Sequence, residues 1–262
     1  MFLYGTAWKE DDTRGLVELA LKNGFRGIDT ANQRKHYFEA AVGEAIEASA
    51  VPRGELFLQT KFTFVGGQDQ RLPYDPKADI TTQVMQSFDS SLTHLKTTSI
   101  DSYVLHGPSG RDGLNALDFE AWSAMEALVS SGRVKQLGIS NVNAAQLELL
   151  LTKASVPPSY VQNRCYANRR WDEAVRKVCE RGAIRYQGFS LLTANPEVVS
   201  GAVVKAIAKR VARTPQQIIF RFAQQLGMLP LTGTTDAKHM REDLAVSEFG
   251  LTRDDVAAIL SA

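Results

Sequence analysis

The segment Gly132–Lys153, GRVKQLGISNVNAAQLELLLTK, contains one complete strand–helix unit. Its short apolar run, Val134–Ile139, predicts a strand that ends at the polar pair Ser140-Asn141. Apolar residues then recur three or four positions apart through Ala144–Lys153, which predicts an amphipathic helix. A short strand, a polar residue at its end and an amphipathic helix recur in this order along the chain. This alternation is typical of α/β proteins with a parallel sheet.

Eight such units are predicted. The strands are Phe2–Thr6, Gly27–Asp29, Leu56–Thr60, Ser102–Leu105, Val134–Ile139, Tyr160–Gln162, Ile184–Phe189 and Leu229–Leu231. The helices include Thr13–Lys22, Phe38–Ser49, Ile80–Leu95, Asp118–Ser131, Ala144–Lys153, Arg170–Arg181, Pro215–Leu226 and Met240–Ala245. Eight units within one domain of 262 residues favour a closed (β/α)8 TIM barrel spanning residues 1–262. Periodicity alone also allows a doubly wound sheet, but the Gly-x-Gly-x-x-Gly turn typical of that fold does not follow the first strand.

The composition excludes several classes of protein. A formal net charge of +1 argues against nucleic acid or an anionic membrane as the main partner. No apolar run approaches the about 20 residues that span a bilayer, and the N-terminus does not resemble a secretory signal. Cys165 and Cys179 form no metal-binding or CxxC pattern, which is typical of free thiols in a reducing compartment. We therefore expect a cytoplasmic, monomeric protein that binds no metal.

Polar residues recur where the predicted strands end: Asp29, Lys61, His106, Ser140, Asn141 and Gln162. In a (β/α)8 barrel the carboxyl ends of all strands meet at one mouth, where active sites are built. Any one of these residues could be structural, as a buried helix cap or a histidine bonded to a carbonyl. Their recurrence at one edge predicts a functional site there. The loop-like segment Phe64–Ala78 is either a wall of this site or a solvated connector.

Several runs resemble aldo-keto reductases in order and spacing: GFRGIDTA, LFLQTK, SIDSYVLHGP, GRVKQLGISN, TPQQIIFRFA and LPLTGTTDAKHMREDL. The resemblance covers nearly the whole chain. It implies a barrel that reduces aldehydes or ketones with a nicotinamide cofactor, through a tetrad of Asp, Tyr, Lys and His. Asp29, Lys61 and His106 match the first, third and fourth members of this tetrad.

The tyrosine of the tetrad departs from the family pattern. The family usually places it five residues after the Asp, and Arg34 occupies that position here. An arginine cannot donate a proton at useful pH. This segment is about two residues longer than in the family, and its one tyrosine is Tyr37. We therefore assign the proton donor to Tyr37, with His36 as the rival, while Arg34 and Lys35 line the mouth or face solvent.

The chemistry explains this choice of residue types. Hydride addition to a carbonyl develops negative charge on oxygen, so a proton donor must meet that oxygen. A nearby ammonium, Lys61, is expected to lower the pKa of the Tyr37 phenol by stabilising the phenolate. Asp29 would hold the Lys61 ammonium in place, and His106 would orient the substrate carbonyl or share the proton transfer.

The resemblance also implies cofactor contacts. Ser140, Asn141 and Gln162 would bind the nicotinamide carboxamide. Phe189-Ser190 occupies the place of a Tyr-Ser pair whose aromatic ring stacks on the nicotinamide in the family. Trp8 resembles a substrate-pocket aromatic, although it could equally serve core or surface packing.

The adenosine end is less regular. Gly233 and His239 stand where relatives that bind NADP(H) place cations, and Asp236 adds a repelling charge. Thr234 and Thr235 could bind a phosphate at the start of a helix, helped by Lys238 and Arg241 unless these are ordinary solvated residues. Glu242 and Asp243 replace a Glu-Asn pair that meets adenine in the family. The prediction is NADP(H) with weak discrimination against NAD(H).

The two ends of the chain also differ from the family. Many relatives begin with a β-hairpin that plugs the barrel, and this hairpin is missing or replaced here. The sequence ends with DDVAAILSA, without the long tail that many relatives carry, which predicts a more open pocket.

Two other functions remain open. A Schiff-base aldolase or isomerase would use Lys61 as its amine and bind no nicotinamide. A slow or regulatory relative would keep the fold and the cofactor but turn over weakly.

Overall fold

A closed barrel of eight parallel strands forms the centre of the molecule. The computed structural model describes residues 1–111 and 113–262. The strands pair in chain order, and the last pairs with the first. They are β1 (Leu3–Gly5), β2 (Gly27–Asp29), β3 (Phe57–Phe62), β4 (Ile100–Leu105), β5 (Val134–Ser140), β6 (Tyr160–Arg164), β7 (Arg185–Phe189) and β8 (Leu229–Thr232). The predicted (β/α)8 barrel is confirmed.

Eleven α-helices are found among the described residues. They are α1 (Thr13–Lys22), α2 (Glu39–Ala48), α3 (Ile80–Leu95), α4 (Ala116–Ser130), α5 (Ala144–Lys153), α6 (Glu173–Arg181), α7 (Pro196–Val199), α8 (Ala202–Val211), α9 (Pro215–Gln225), α10 (Ala237–Leu244) and α11 (Arg253–Leu260). None of these helices is long and apolar enough to cross a membrane. Helices α7 and α8 were not among the predicted ones. They lengthen the connection between β7 and α9.

Helix α6 begins three residues later than predicted. Arg170, Trp171 and Asp172 have φ angles of 54°, 56° and 56°, in the left-handed region that non-glycine residues rarely adopt. Trp171 is fully buried and its ring packs against Phe222, with 4.9 Å between the ring centroids. The burial of this large ring fixes the turn, and the helix starts only after it, at Glu173.

Helix α2 packs closely on the end of α3. A Cβ atom added to Gly43 would lie 1.9 Å from the carbonyl oxygen of His94, so this contact requires glycine. The contact fixes the position of α2, and thereby that of the loop between β2 and α2, which contains Tyr37.

Met1 and Phe2 are the residues of this chain that precede β1. Leu3, Tyr160, Leu229 and Leu231, from β1, β6 and β8, form an apolar cluster of their own. The carboxyl ends of the strands are polar by comparison, which places the candidate site at that end of the barrel.

Candidate active site

A buried ion pair joins β2 to β3 at the mouth of the barrel. The Lys61 ammonium lies 2.7 and 2.8 Å from the two carboxylate oxygens of Asp29 and donates a third hydrogen bond, 2.7 Å, to the Thr30 carbonyl. Strand β3 extends to Phe62, so Lys61 belongs to the barrel wall, and its side chain is fully buried. Burial lowers the pKa of the Lys61 ammonium, and the Asp29 carboxylate opposes that effect. All three protons of the ammonium therefore have acceptors.

Three glutamines surround this ion pair inside the barrel. Gln59 and Gln162 each donate an amide hydrogen bond to Asp29 Oδ1, at 2.6 and 3.0 Å, and both also donate to Gln187 Oε1. Gln187 in turn donates to Gln59 Oε1 at 2.9 Å. Gln59 and Gln187 were not among the residues predicted for the site. Their signal was a polar residue in mid-strand, in LFLQT and RYQGF, where a barrel interior is otherwise branched and apolar.

His106 is held in a neutral state beside the ion pair. Its Nδ1 lies 2.7 Å from the Thr63 hydroxyl, a contact that the sequence analysis also missed. Burial, together with the Lys61 and His36 charges, lowers the pKa of His106 to about 3. The imidazole is therefore uncharged at neutral pH.

Tyr37 lies next to His106 and Lys61. Its ring meets the His106 ring edge-on, with centroids 5.8 Å apart, and Lys61 Nζ lies 5.1 Å from the centre of the phenol ring. Burial and the Asp29 carboxylate raise the pKa of the phenol above its ordinary value. The pKa of the phenol is thus raised on balance, where a lowering was predicted, because burial and the Asp29 carboxylate outweigh the opposing effect of the Lys61 charge.

His36 occupies the outer part of the same mouth. Its ring stacks on Trp8, with centroids 3.9 Å apart, and the Trp8 side of this pair is largely exposed. Burial and the neighbouring Lys35 charge lower the pKa of His36. His36, the rival proton donor, is therefore close to the site, but its ring packs against Trp8 at the edge of the mouth.

A cavity of about 700 Å³ unites most of the predicted residues. Those that line it are Trp8, Asp29, Tyr37, His106, Ser140, Asn141, Gln162, Phe189, Ser190, Gly233 and Thr234. Lys61 lies beneath its wall. Thr235, His239, Glu242 and Asp243 do not line it. Over residues 1–111 and 113–262, no group of three or more His, Cys, Asp or Glu side chains is arranged to hold a metal ion.

The cavity wall at β5 and β6 fits a carboxamide. The Asn141 amide donates to the His106 carbonyl at 2.7 Å, and the Ser140 hydroxyl donates to the Gln162 carbonyl at 2.5 Å. The amide N–H groups of Asn141 and Gln162 thus have partners, whereas their side-chain oxygens accept no hydrogen bond from any described residue. Two such acceptors beside the Phe189 ring suit a carboxamide NH2 on a flat ring.

The start of α10 is already occupied by a carboxylate. Asp236 Oδ1 accepts hydrogen bonds from the backbone N–H groups of Lys238 and His239, at 2.7 and 3.0 Å. The Lys238 ammonium lies 3.7 Å from the Glu242 carboxylate, and the Arg241 guanidinium donates to Asn23 at 2.9 Å. The side chains predicted to help bind a phosphate here are therefore engaged with other residues.

Lys9 is a cation at this end that the sequence analysis missed. It is 8% exposed, and its ammonium donates a 2.7 Å hydrogen bond to the Gly233 carbonyl. Burial lowers its pKa. A buried cation bonded to a neutral carbonyl is suited to receive an anion. The sequence signal for Lys9 was its position directly after Trp8, beyond the carboxyl end of β1, where residues of the mouth are expected.

Glu242 and Asp243 differ in exposure. Glu242 is half-buried and pairs with Lys238, whereas Asp243 is buried on the inner face of α10. Burial raises the pKa of Asp243 to about 7, although a hydrogen bond with Thr232 opposes the shift. Asp243 is therefore largely protonated below neutral pH, where its carboxyl group can both donate and accept like the family's amide.

The segment Phe64–Ala78 borders a different space. Arg71, Leu72 and Pro73 line a second cavity of about 370 Å³, which meets the first at Tyr37. The segment also ties back to the barrel, because the Tyr74 hydroxyl donates to the Thr63 carbonyl at 2.7 Å. It is a wall behind Tyr37, with no residue in the larger cavity.

Comparisons with known proteins agree with this geometry. The Aldo/keto reductase family model matches residues 3–196. The chain is 30% identical to a glyoxal reductase of Bacillus subtilis and to an aldo-keto reductase of Mycolicibacterium vanbaalenii, in each case over 93% of this chain and 80% of the relative. It superposes on an aldo/keto reductase from Brucella melitensis with a TM-score of 0.84, at 28% identity, over 99% of this chain and 92% of that one. The chain belongs to the aldo/keto reductase family.

Proposed function

We propose that this protein reduces an aldehyde or ketone to the alcohol with NADPH or NADH, and that Tyr37 donates the proton. The supporting observation is that Tyr37, His106 and Asp29 line one cavity and that the buried Lys61 ammonium is bonded to Asp29 beside it. Similarity to a glyoxal reductase makes glyoxal a first substrate to assay.

Each residue has a distinct task in this proposal. The bound nicotinamide supplies a hydride to the carbonyl carbon. Tyr37, protonated because burial raises its pKa, gives its proton to the carbonyl oxygen. Neutral His106 can donate a hydrogen bond to the same oxygen and so orient the carbonyl. Lys61 places a positive charge near the phenolate that remains after transfer.

The Schiff-base alternative conflicts with the environment of Lys61. A nucleophilic amine must lose a proton and expose its lone pair. Here the three ammonium protons are donated to Asp29 and Thr30, and the side chain has no exposed surface. These contacts favour a fixed cation over a nucleophile.

For the cofactor we propose NADP(H) with weak discrimination against NAD(H). Lys9 would meet the phosphates that both cofactors share, beside Gly233 and Thr234. The extra 2′-phosphate of NADP(H) would find Asp236 at the start of α10, while Lys238 and Arg241 already have partners. An attraction of about 1–4 kcal/mol per close charge pair is therefore missing between the 2′-phosphate and the cations, and Asp236 repels the phosphate.

The test is an assay of the purified chain for NADPH and NADH consumption with glyoxal and a panel of neutral aldehydes. Tyr37→Phe should lower turnover about 100-fold or more, since a positioned acid contributes that much. Its affinity for NADPH, measured by fluorescence titration, should persist because the ring remains.

His36→Ala is the matched control and should retain turnover. Loss of activity in His36→Ala with activity kept in Tyr37→Phe would assign the proton to His36. Cofactor binding without turnover of any aldehyde would favour the regulatory alternative.

A further inference from the structure

A third cavity adjoins the active site on the side away from the adenosine end. It has a volume of about 640 Å³ and lies at the carboxyl ends of β4, β5 and β6. Asn141 and Arg164 line both this cavity and the larger one that contains Tyr37. The two spaces therefore meet at Arg164.

Three arginines line this space, which we name the arginine cavity: Arg111, Arg164 and Arg169. The Arg164 guanidinium lies 5.6 Å from the centre of the Phe189 ring, and the Arg169 guanidinium lies 5.3 Å from that of Tyr166. Over residues 1–111 and 113–262, no ion pair involves any of the three. A guanidinium held over an aromatic face keeps its N–H edge available for a planar or tetrahedral anion.

Among the described residues 1–111 and 113–262, Asp172 is the one carboxylate in the lining, and it has other partners. It accepts hydrogen bonds from the Asn163 amide at 2.9 Å and the Tyr186 hydroxyl at 2.8 Å. The first turns of α5 and α6 also border the cavity, and the positive ends of their dipoles add to the charge of the arginines. The described residues that line the cavity are therefore positively charged on balance.

The segment that holds Arg169 is fixed in an unfavourable backbone conformation. The next three residues, Arg170, Trp171 and Asp172, all have positive φ. Trp171 anchors the turn in the core, Asp172 is hydrogen-bonded as described, and Asn195 Oδ1 accepts from the Ala167 amide at 2.6 Å. Strain that the surroundings hold in place in this way is typical of binding sites.

We propose that the arginine cavity binds an anionic group of the substrate, so that the preferred substrates are aldehydes or ketones bearing a carboxylate or a phosphate. The inference rests on the proposed carbonyl reduction. Arg164, at the junction of the two cavities, and Arg169, inside the second, bind the anion while the carbonyl lies at Tyr37 and His106.

The test compares aldehydes with and without an anionic group, at saturating NADPH and constant ionic strength. 4-Oxobutanoate with butanal tests a carboxylate, and glyceraldehyde 3-phosphate with glyceraldehyde tests a phosphate. The wild type should favour the anionic member of at least one pair in kcat/KM. In Arg164→Gln/Arg169→Gln this preference should fall about 10- to 100-fold, chiefly through KM, as expected for losing hydrogen bonds to a charged group.

Arg170→Gln is the matched control. Arg170 neighbours Arg169, is paired with Glu173 at 3.0 Å and does not line the cavity, so its substitution should leave the preference intact. A wild type without preference for either anion, or a preference that survives the double substitution, would overturn the proposal. A weaker affinity for NADPH in the double variant, with the preference unchanged, would assign the arginines to the cofactor instead.

A binding measurement separates this inference from the proposed reaction. If no aldehyde of either kind is reduced, carbonyl reduction fails. Calorimetric titration of the cofactor-free protein with succinate and inorganic phosphate then tests the cavity alone. At least one of them should bind to wild type and to Arg170→Gln, and at least tenfold more weakly to Arg164→Gln/Arg169→Gln. Equal binding to all three proteins would overturn the proposal.

Discussion

Lys61 is the most constrained residue of the site. Its charge lies in a barrel interior where an isolated ammonium would lose its proton, and two contacts to Asp29 keep it ionised. The same Asp29 carboxylate raises the pKa of Tyr37, so the two members of the ion pair act on the phenol in opposite directions. This opposition is measurable.

Lys61→Met removes the cation next to Tyr37 and should raise the pKa of the phenol. The pH profile for alcohol oxidation, which needs the phenolate as base, should therefore move to higher pH by about one unit or more. Asp29→Asn removes the carboxylate that raises this pKa, so its profile should move to lower pH. Steady-state oxidation rates across the alkaline range measure both shifts.

Breaking a buried ion pair also threatens folding, so circular dichroism must first show that both variants are folded. Unchanged profiles in the two folded variants would leave the pair with a structural role only. Shifts in the same direction would mean that the two charges do not act separately on Tyr37.

At the level of elements, helix α10 shows a conflict between capping and phosphate binding. The N–H groups at the start of a helix attract anions, and Asp236 supplies one from within the chain. Its two hydrogen bonds lower the pKa of the carboxyl, so the group is ionised at neutral pH. The charge at this helix start therefore opposes a 2′-phosphate.

Asp236→Asn keeps a capping oxygen and removes the charge, so the affinity for NADPH relative to NADH should increase about tenfold. Asp236→Ala should increase it similarly while lowering the melting temperature of the protein through loss of the cap. The dissociation constants of the two cofactors, titrated by fluorescence, give the ratio. A wild-type preference for NADPH above a thousandfold would show that another cation binds the phosphate.

For the whole molecule, Asp243 links stability to pH. Burial raises its pKa to about 7 in the folded state, from about 3.9 in an unfolded chain. The folded state therefore binds the proton more tightly, and stability falls as pH rises between these two values. Above about pH 7 the Asp243 carboxyl is ionised while buried, and this buried charge destabilises the folded state.

Asp243→Asn removes this penalty. The melting temperature of the variant minus that of wild type should therefore increase with pH. We expect this difference to be larger at pH 8 than at pH 5 by about 2–4 °C or more. Thermal unfolding of both proteins in matched buffers measures the difference. A difference that does not vary with pH would show that Asp243 does not titrate in this range.

Sequence by itself determined the barrel and the edge that contains the site. Strand–helix alternation is a local property of the chain, and parallel strands bring their carboxyl ends together whatever their detailed packing. For that reason Asp29, His106 and Gln162, at the ends of three predicted strands, are expected at one mouth, and they line one cavity in the structure.

Only the tertiary structure decided which groups touch. The hydrogen bond between Gln59 and Gln187 joins residues 128 positions apart, and the one between Lys9 and Gly233 joins residues 224 apart. The direction of the Tyr37 pKa shift depends on its burial, and the grouping of Arg111, Arg164 and Arg169 depends on how the β4–α4 and β6–α6 connections converge. These features arise from distance and desolvation in the folded chain, and neither quantity is encoded in local sequence patterns.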